Sequence, residues 1–143
     1  MPFGLCNALA MIQHLINDIF WDFLDCFLII YLDDILIYSR HHQEQVQHVQ
    51  VMLLRLQDNC LFANLEKCAF DLTTVDFLGH CISPAGIEMD PGKIDTILQW
   101  QTPQTVKDIQ PFLGFVNYYQ WFISHFAQLM VSLSELLKGK RPF

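Results

Sequence analysis

The sequence has no long apolar run and no targeting segment. Its longest unbroken apolar stretch, Cys26 to Leu32, is far shorter than the roughly 20 residues that a helix needs to cross a bilayer. The first residues, Met-Pro-Phe-Gly-Leu, have neither the basic region nor the apolar region of a secretory signal. We therefore expect an intracellular protein, cytoplasmic or nuclear, with no membrane partner.

Glycine and proline are scarce, with six residues of each among 143, and charged residues make up only 16%. This composition excludes a low-complexity or disordered chain. Hydrophobic residues reach 52% and aromatic residues 13%, in a length that is ordinary for one domain. The chain is therefore predicted to be globular, or to be a piece of a globular protein.

The cysteines form no Cys-x-x-Cys pair, and their number, five, is odd. Each lies in or beside an apolar stretch, which is typical of reduced thiols in a protein core. The six histidines do not stand at metal-ligand spacings from these cysteines, so we expect no zinc site.

Basic residues are absent from the first 39 positions, whose charged residues are all acidic: Asp18, Asp22, Asp25, Asp33 and Asp34. The net charge of the whole chain is -7. Because Lys and Arg supply most of the non-specific affinity for phosphates, this charge argues against a nucleic-acid partner. An acidic segment can approach phosphates only where cations bridge the two.

The first half of the chain alternates helical and strand patterns. Apolar residues recur at helical spacing over residues 7–24, and a second amphipathic helix is predicted from an N-cap at Ser39 to about Asn59. Between the helices, two apolar runs flank Asp33 and Asp34, which predicts an antiparallel hairpin with these aspartates at its apex. Further short strands are predicted at residues 61–64, 68–72 and 75–82. The predicted fold class is α+β.

Ser83-Pro84-Ala85-Gly86 is the best domain boundary, because the chain is predicted to be wholly helical after it. Asp90 is a predicted N-cap with Pro at the next position, and this helix ends near residue 100. Thr105 and Asp108 predict a capping box for the next helix, in which Pro111 is a potential kink. A last helix is predicted over about residues 129–138, with Gly139 at its end.

Tyr31-Leu32-Asp33-Asp34, at the tip of the predicted hairpin, matches the Tyr-x-Asp-Asp pattern of reverse transcriptases. Phosphoryl transfer by two divalent ions about 3.5–4 Å apart needs carboxylates that project from a rigid support into one small volume. A tight hairpin provides such a support. The alternative is a plain polar turn, because Asp is a common turn residue, and four residues do not decide between the two.

Longer segments extend this resemblance over nearly the whole chain. They are Met1 to Ala8 with Gln13 and Asn17, Asn64 to Phe70, Phe77 to His80, Gly86-Ile87, Asp90 to Ile94, Trp100, Pro103, Phe112 to Tyr119, and Phe122-Ile123. In order and spacing they are similar to the Ty3/gypsy family of retrotransposon reverse transcriptases. The resemblance implies a partial palm over residues 1–83, with the aspartate hairpin and a primer-grip-like hairpin, followed by a helical thumb-like subdomain over residues 84–143.

The resemblance also implies roles for individual residues. The catalytic residues would be Asp33, Asp34 and Lys67, with Mg²⁺ or Mn²⁺ on the two aspartates and Lys67 on the departing pyrophosphate. Nucleotide or template would lie beside Phe3, Gly4, Gln13 and Tyr31, and the primer 3′ end would be held by Phe77, Leu78, Gly79 and His80. The partner would be an RNA or DNA template with its primer. The plain alternatives are a solvated charge for Lys67 and a core hairpin for the primer-grip segment.

The sequence departs from the family pattern in several places. Leu9 and Ile12 stand where the family has Pro and Phe, and Gln110, Gln120 and Trp121 stand where it carries basic residues. The family's first catalytic carboxylate and its fingers lie upstream of the position of Met1, and the family continues past Phe143 toward a ribonuclease H region. We therefore expect a fragment of a Pol polyprotein that does not polymerise DNA alone, and its metal binding is left open.

Two function classes remain open. The first is part of an RNA-directed DNA polymerase, which performs two-metal nucleotidyl transfer to a primer 3′ end. The second is a degenerate or host-adopted retroelement remnant that acts as a non-catalytic structural or interaction protein. A carboxylate encoded upstream would favour the first class, whereas the net charge of -7 and the replaced basic residues favour the second. A nucleic-acid binding module is the weakest alternative.

Overall fold

The computed structural model describes residues 7–137. In chain order its elements are α1 (Ala8–Ile19), β1 (Leu28–Tyr31), β2 (Asp34–Ile37), α2 (His42–Asp58), β3 (Val75–Phe77), β4 (His80–Ser83), β5 (Gly86–Met89), α3 (Pro91–Leu98), α4 (Val106–Tyr118) and α5 (Phe126–Leu137), with short 3-10 helices at Leu65–Lys67 and Gln120–Phe122. This mixture of helices and antiparallel hairpins confirms the α+β class. Within residues 7–137, every helix is too short or too polar to span a bilayer.

The chain divides into two compact units, Met1–Thr73 and Thr74–Phe143. The first unit contains the predicted aspartate hairpin. Strands β1 and β2 pair antiparallel, from Leu28 opposite Ile37 to Tyr31 opposite Asp34. Only Leu32 and Asp33 lie between the last paired residues, so the loop has the two-residue length of a tight hairpin. The predicted hairpin with the aspartates at its apex is confirmed.

The core of the first unit lies between the hairpin and its two flanking helices. Phe20 and Leu28 are fully buried, and Met52 and Leu56 of α2 cover them. Around these four pack partly buried apolar side chains from α1, the turn after it, both strands and the segment after α2: Ile16, Ile19, Phe23, Phe27, Ile30, Ile35, Ile37 and Leu61. The hairpin strands are therefore held by apolar contacts with the two helices, while Asp33 and Asp34 at the tip are exposed to solvent.

Arg55 of α2 determines where α1 ends. Its Nη1 donates to the Ile19 carbonyl at 2.8 Å, and its two terminal nitrogens donate to the Asp22 carboxylate at 3.0 and 2.8 Å. The Arg55 guanidinium holds the pKa of Asp22 below its usual range. The prediction of one helix over residues 7–24 is therefore wrong beyond Ile19, because the chain turns there and meets Arg55.

The second unit begins with a three-stranded antiparallel sheet in the order β3-β4-β5. Ser83 pairs with Gly86, so Pro84 and Ala85 form the turn of a hairpin. The expectation of a wholly helical chain after Ser83 is therefore wrong, because these turn residues connect two strands of one sheet. The helical part of this unit has Ile109, Val116 and Tyr119 as its buried side chains.

Local caps agree with the sequence at two of three predicted positions. The Asp90 side chain accepts from the Gly92 N–H at 2.7 Å, and Thr105 and Asp108 form both hydrogen bonds of a capping box. Helix α4 then continues through Pro111. Ser39, in contrast, does not cap α2: the N-cap is His41, and the Ser39 hydroxyl is hydrogen-bonded to His48 at 2.6 Å. Helix α5 begins at Phe126, earlier than predicted, and Gly139 lies outside the described residues.

Two further expectations are wrong. Residues 61–64 and 68–72 form no strand: they pair with no strand of either sheet, and Asn64 accepts from the Glu66 N–H to begin a 3-10 helix between them. The cysteines are free but not in the core: Cys26 and Cys60 are exposed, whereas Cys68 and Cys81 are half-buried. Cys6 lies outside the described residues.

The buried side chain of Phe20 yields a stability prediction. Phe20→Ala should lower the free energy of unfolding of the first unit by about 3–5 kcal/mol, because it leaves a cavity beneath the hairpin. Urea unfolding followed by circular dichroism measures this change. The adjacent Trp21 is 77% exposed and provides the matched control.

Trp21→Ala should change the same free energy by no more than about 0.5 kcal/mol. If Phe20→Ala does not fold, the milder Phe20→Leu should still cost about 1 kcal/mol. Equal effects at the two neighbouring positions would show that Phe20 is not a core residue.

Candidate functional site

The tip of the first hairpin presents two carboxylates to solvent. Asp33 lies in the loop and Asp34 is the first residue of β2, and both are exposed. Leu32, the first loop residue, has a φ of 51°, in the left-handed region that a bulky side chain rarely adopts. A tip of this kind is held in place by contacts from outside the turn.

Gln13 of α1 supplies that contact. Its Oε1 accepts from the Leu32 N–H at 2.6 Å, and its Nε2 donates to Asn17 Oδ1 at 2.8 Å. Gln13 was predicted from the family resemblance to face nucleotide or template. In the structure both ends of its amide are engaged within the chain, so Gln13 orients the hairpin tip.

The carboxylates of Asp33 and Asp34 have no hydrogen bond or ion pair within residues 7–137. An aspartate that serves as an ordinary turn residue accepts a nearby backbone N–H, as Asp90 does from Gly92. At this tip the Gln13 amide binds the N–H of Leu32, and no backbone N–H donates to the side chains of Asp33 or Asp34 within residues 7–137. The oxygens of Asp33 and Asp34 therefore remain available, and carboxylate oxygens are the ligands that Mg²⁺ prefers.

Few side chains that could coordinate a metal ion lie near Asp33 and Asp34 in the described part of the chain. Within residues 7–137, His, Cys, Asp and Glu side chains form no group of three or more that could hold a metal ion. Asp33 and Asp34 therefore fit one hard cation that draws its other ligands from water or substrate phosphates. They do not by themselves provide a second metal position.

The other predicted residues of the first unit are placed separately. Tyr31 is 55% exposed and pairs with Asp34 across the hairpin. Lys67 is an exposed residue at the end of the 3-10 helix, with no ion pair to Asp33 or Asp34. Phe3 and Gly4 lie outside the described residues.

The predicted primer-grip residues form a second tight hairpin. Phe77 pairs with His80 across β3 and β4, and Leu78 and Gly79 make up the loop. Both loop residues have positive φ values, 52° and 76°, as a type I′ turn requires. A Cβ atom on Gly79 would lie 2.6 Å from the Tyr119 hydroxyl, so glycine is required there for space as well as for conformation.

Aromatic residues at the end of α4 surround this turn. The His80 ring stacks on Tyr118, with centroids 5.4 Å apart and planes 16° apart, and contacts Tyr119 and Phe122 at 5.5 Å. The Tyr118 hydroxyl donates to the Leu78 carbonyl at 2.7 Å, and the Tyr119 hydroxyl donates to the Gly79 carbonyl at 3.3 Å. Burial raises the pKa of Tyr119 above its ordinary value, which favours the protonated hydroxyl that donates to Gly79.

Tyr118 and Tyr119 were not among the predicted site residues. The sequence marked them only as part of a family-like aromatic block, and their hydrogen-bond partners lie 40 residues earlier. The adjacent pair of tyrosines at the end of an amphipathic helix was the available signal. It did not indicate which segment the hydroxyl groups would meet.

Comparison with known proteins places these features in a family. Residues 1–82 match the family described as reverse transcriptase (RNA-dependent DNA polymerase). The Transposon Tf2-3 polyprotein of Schizosaccharomyces pombe is 39% identical over 138 residues, which are 96% of this chain and 10% of that polyprotein. The Retrovirus-related Pol polyprotein from transposon 297 of Drosophila melanogaster is 37% identical over 140 residues, 98% of this chain and 13% of that polyprotein.

Solved structures share the fold. A foamy viral protease-reverse transcriptase in complex with double-stranded DNA matches 96% of this chain with a TM-score of 0.86 at 24% identity, over 24% of that chain. The foamy viral protease-reverse transcriptase in complex with an RNA/DNA hybrid matches 99% of this chain with a TM-score of 0.80 at 23% identity, over 19% of that chain. The chain thus spans about a tenth of the length of the curated relatives and a fifth to a quarter of these structures.

The space around Gly79 yields a second prediction. Gly79→Ala should lower the free energy of unfolding by about 2 kcal/mol, because the new methyl group meets Tyr119 and the backbone keeps a positive φ. In a Tyr119→Phe background the loss should be smaller, since the hydroxyl that the methyl group meets is gone. Denaturant unfolding of the four variants of this cycle measures the coupling.

Gly114→Ala is the control for this prediction. Gly114 lies inside α4 with open space where a Cβ would be placed, so the substitution should stabilise the chain by roughly 0.5–1 kcal/mol. If Gly79→Ala did not lower the free energy of unfolding either, Tyr119 would not lie as close to the turn as the structure shows.

Proposed function

This chain belongs to the reverse transcriptase (RNA-dependent DNA polymerase) family, of the Ty3/gypsy type, and we propose that its aspartate hairpin is the metal-binding part of a retrotransposon polymerase. Asp33 and Asp34 are exposed at a braced tip and make no hydrogen bond or ion pair with residues 7–137. That observation carries the proposal, because carboxylates without partners at a rigid tip suit coordination better than turn formation.

The proposed cofactor is Mg²⁺ or Mn²⁺, held by the oxygens of Asp33 and Asp34. When bound, such an ion would stabilise the charge that develops on the transferred phosphate. The residues of this chain hold the ion's position: Gln13 fixes the backbone of the loop, and the β1–β2 pairing fixes Asp34 opposite Tyr31. Tyr31, half-exposed on that tip, is the proposed neighbour of the incoming nucleotide.

The proposed substrate is an RNA or DNA template with a primer. The structural relatives are described as bound to an RNA/DNA hybrid or to double-stranded DNA, which supports this proposal for the present chain. Phe77, Leu78, Gly79 and His80 are proposed to hold the primer 3′ end, and Lys67 is proposed to neutralise the departing pyrophosphate.

The same proposal assigns a palm to residues 1–83 and a thumb to residues 84–143. The chain divides into its two compact units at another position, between Thr73 and Thr74. The proposed primer-grip turn therefore lies in the unit that contains the helical residues, and its aromatic contacts are all made there. A functional palm boundary at Ser83 thus crosses the sheet β3-β4-β5.

The isolated 143-residue chain is expected not to extend a primer in Mg²⁺ or Mn²⁺. Two-ion phosphoryl transfer needs a ligand that bridges both metals, and no third acidic group joins Asp33 and Asp34 within residues 7–137. Primer extension on an RNA template with labelled deoxynucleotides measures incorporation. An Asp33→Asn variant is run beside the natural chain, and a complete polymerase shows that the assay works.

Incorporation by the natural chain that disappears in Asp33→Asn would show that these residues suffice for synthesis. It would contradict the expected inactivity and would support the roles given to the aspartates. Incorporation that survives Asp33→Asn would point to a contaminating polymerase.

A second candidate function is a non-catalytic structural or interaction role for a retroelement remnant. Gln110, Gln120 and Trp121 are all exposed, so the positions where the family resemblance implies basic residues present no positive charge. Arg55 is also occupied by Asp22 and the Ile19 carbonyl. These observations favour weak contact with nucleic acid, and the next measurement tests it.

Affinity for a primer–template is expected to be weak and to fall steeply with salt. The basic residues that remain for phosphate contacts are mainly Lys93, Lys107, Lys138, Lys140 and Arg141. Fluorescence anisotropy over a salt series gives the slope of log K against log salt. Lys107→Gln should reduce that slope by about one if Lys107 contacts a phosphate.

Arg40→Gln is the control, since Arg40 is exposed in the first unit beside the acidic segment. It should leave the slope unchanged. Tight binding that persists at high salt would contradict an electrostatic interaction and would favour a different kind of recognition.

A further inference from the structure

The turn of the second hairpin is held by donors from two other elements. Tyr118 Oη, at the end of α4, donates to the Leu78 carbonyl at 2.7 Å. The backbone N–H of Asp90, at the start of α3, donates to the Gly79 carbonyl at 3.3 Å, and Tyr119 Oη donates to the same oxygen. Both loop carbonyls are therefore satisfied by groups outside the hairpin.

The turn is also limited in space at Gly79. A Cβ atom at Gly79 would lie 2.6 Å from the Tyr119 hydroxyl, so the loop has no room for a side chain at this position. The hydroxyl groups of Tyr118 and Tyr119 oppose movement of the loop away from α4. A type I′ loop with a leucine at positive φ is consequently kept at one position.

Tyr118 differs from Tyr119 in a way that bears on function. Tyr119 is 3% exposed and belongs to the core, whereas Tyr118 is 52% exposed. An exposed tyrosine hydroxyl adds little to stability, because water would satisfy both the hydroxyl and the carbonyl equally well. The hydrogen bond from Tyr118 to the Leu78 carbonyl is directional. It therefore affects the position of the loop more than the stability of the unit.

We propose that Tyr118 is a positioning residue, whose hydroxyl holds the Leu78–Gly79 turn in the one shape that it presents to a primer 3′ end. The inference rests on the proposed function, since it takes that turn to be the primer grip. It adds Tyr118, which lies outside the hairpin, to the residues proposed to determine how the primer 3′ end is bound. The His80 ring of the same hairpin is stacked on the Tyr118 ring, with centroids 5.4 Å apart.

The first test follows the turn itself. Tyr118→Phe removes only the hydroxyl, and Tyr38→Phe is the matched control, because the Tyr38 side chain is 40% exposed and its hydroxyl has no hydrogen-bond partner among residues 7–137. Hydrogen exchange of the Asp90 amide, observed by NMR, reports on the Gly79 carbonyl that it meets. Exchange should be about fivefold faster in Tyr118→Phe, as expected for the loss of one hydrogen bond, and unchanged in Tyr38→Phe.

The second test measures recognition of the primer end. At low salt, the natural chain should bind a duplex with a recessed 3′ end more tightly than a blunt duplex of equal length. Tyr118→Phe should lose that preference and keep its affinity for the blunt duplex and its thermal midpoint. A uniform loss of affinity with a lowered midpoint would show a merely structural role and overturn the inference.

The two tests separate this inference from the function on which it rests. Unchanged exchange in Tyr118→Phe means that the hydroxyl does not hold the turn, and the inference is then wrong whatever the binding result. Faster exchange with a retained preference overturns the positioning role. If exchange is faster in Tyr118→Phe but the natural chain has no preference for a recessed end, the primer-grip assignment is overturned, and with it the role of Tyr118 in receiving a primer.

Discussion

A left-handed backbone at a leucine is the constraint that the two tight hairpins, β1–β2 and β3–β4, have in common. Leu32 has a φ of 51° and Leu78 a φ of 52°, each as the first residue of a two-residue loop. A residue with a side chain loses roughly 1–2 kcal/mol in this conformation. A helix residue hydrogen-bonds the backbone of each leucine: Gln13 accepts from the Leu32 N–H, and Tyr118 donates to the Leu78 carbonyl.

These helix residues bind the backbone of each loop, so the side chains of the loop are not needed to hold its shape. In the first hairpin, Gln13 binds the backbone N–H of Leu32, and the carboxylates of Asp33 and Asp34 make no hydrogen bond or ion pair within residues 7–137. In the second hairpin, the hydroxyl groups of Tyr118 and Tyr119 donate to the carbonyls of Leu78 and Gly79, so the shape of the loop is held by residues of another element. In both hairpins, a residue of a helix holds the backbone conformation of the loop.

The features that could be predicted from the sequence are those whose partners lie within a few residues. The aspartate hairpin follows from two apolar runs around a short acidic turn, the cap at Asp90 reaches only to Gly92, and the capping box joins Thr105 to Asp108. Ser39 is the exception, because His48 offered its hydroxyl a better partner than the start of the helix did. The family resemblance likewise rests on short motifs and needed no tertiary contact.

The sequence by itself determined the α+β class, the first tight turn and the identity of the exposed aspartates, because local hydrogen bonds and alternating apolar residues specify these. The second turn was implied only by the family resemblance, since the residue pattern predicted one strand over residues 75–82 and the structure breaks it at Leu78 and Gly79. Only the tertiary structure decided where α1 ends, since Arg55 reaches Ile19 across 36 residues. The tertiary structure also decided that Gly86–Met89 forms the third strand of the β3-β4-β5 sheet. Residues 61–64 and 68–72 have no neighbouring strand with which to pair. The contacts of the second turn follow the same rule: Tyr118 lies 40 residues from Leu78, and only folding brings its hydroxyl to that carbonyl.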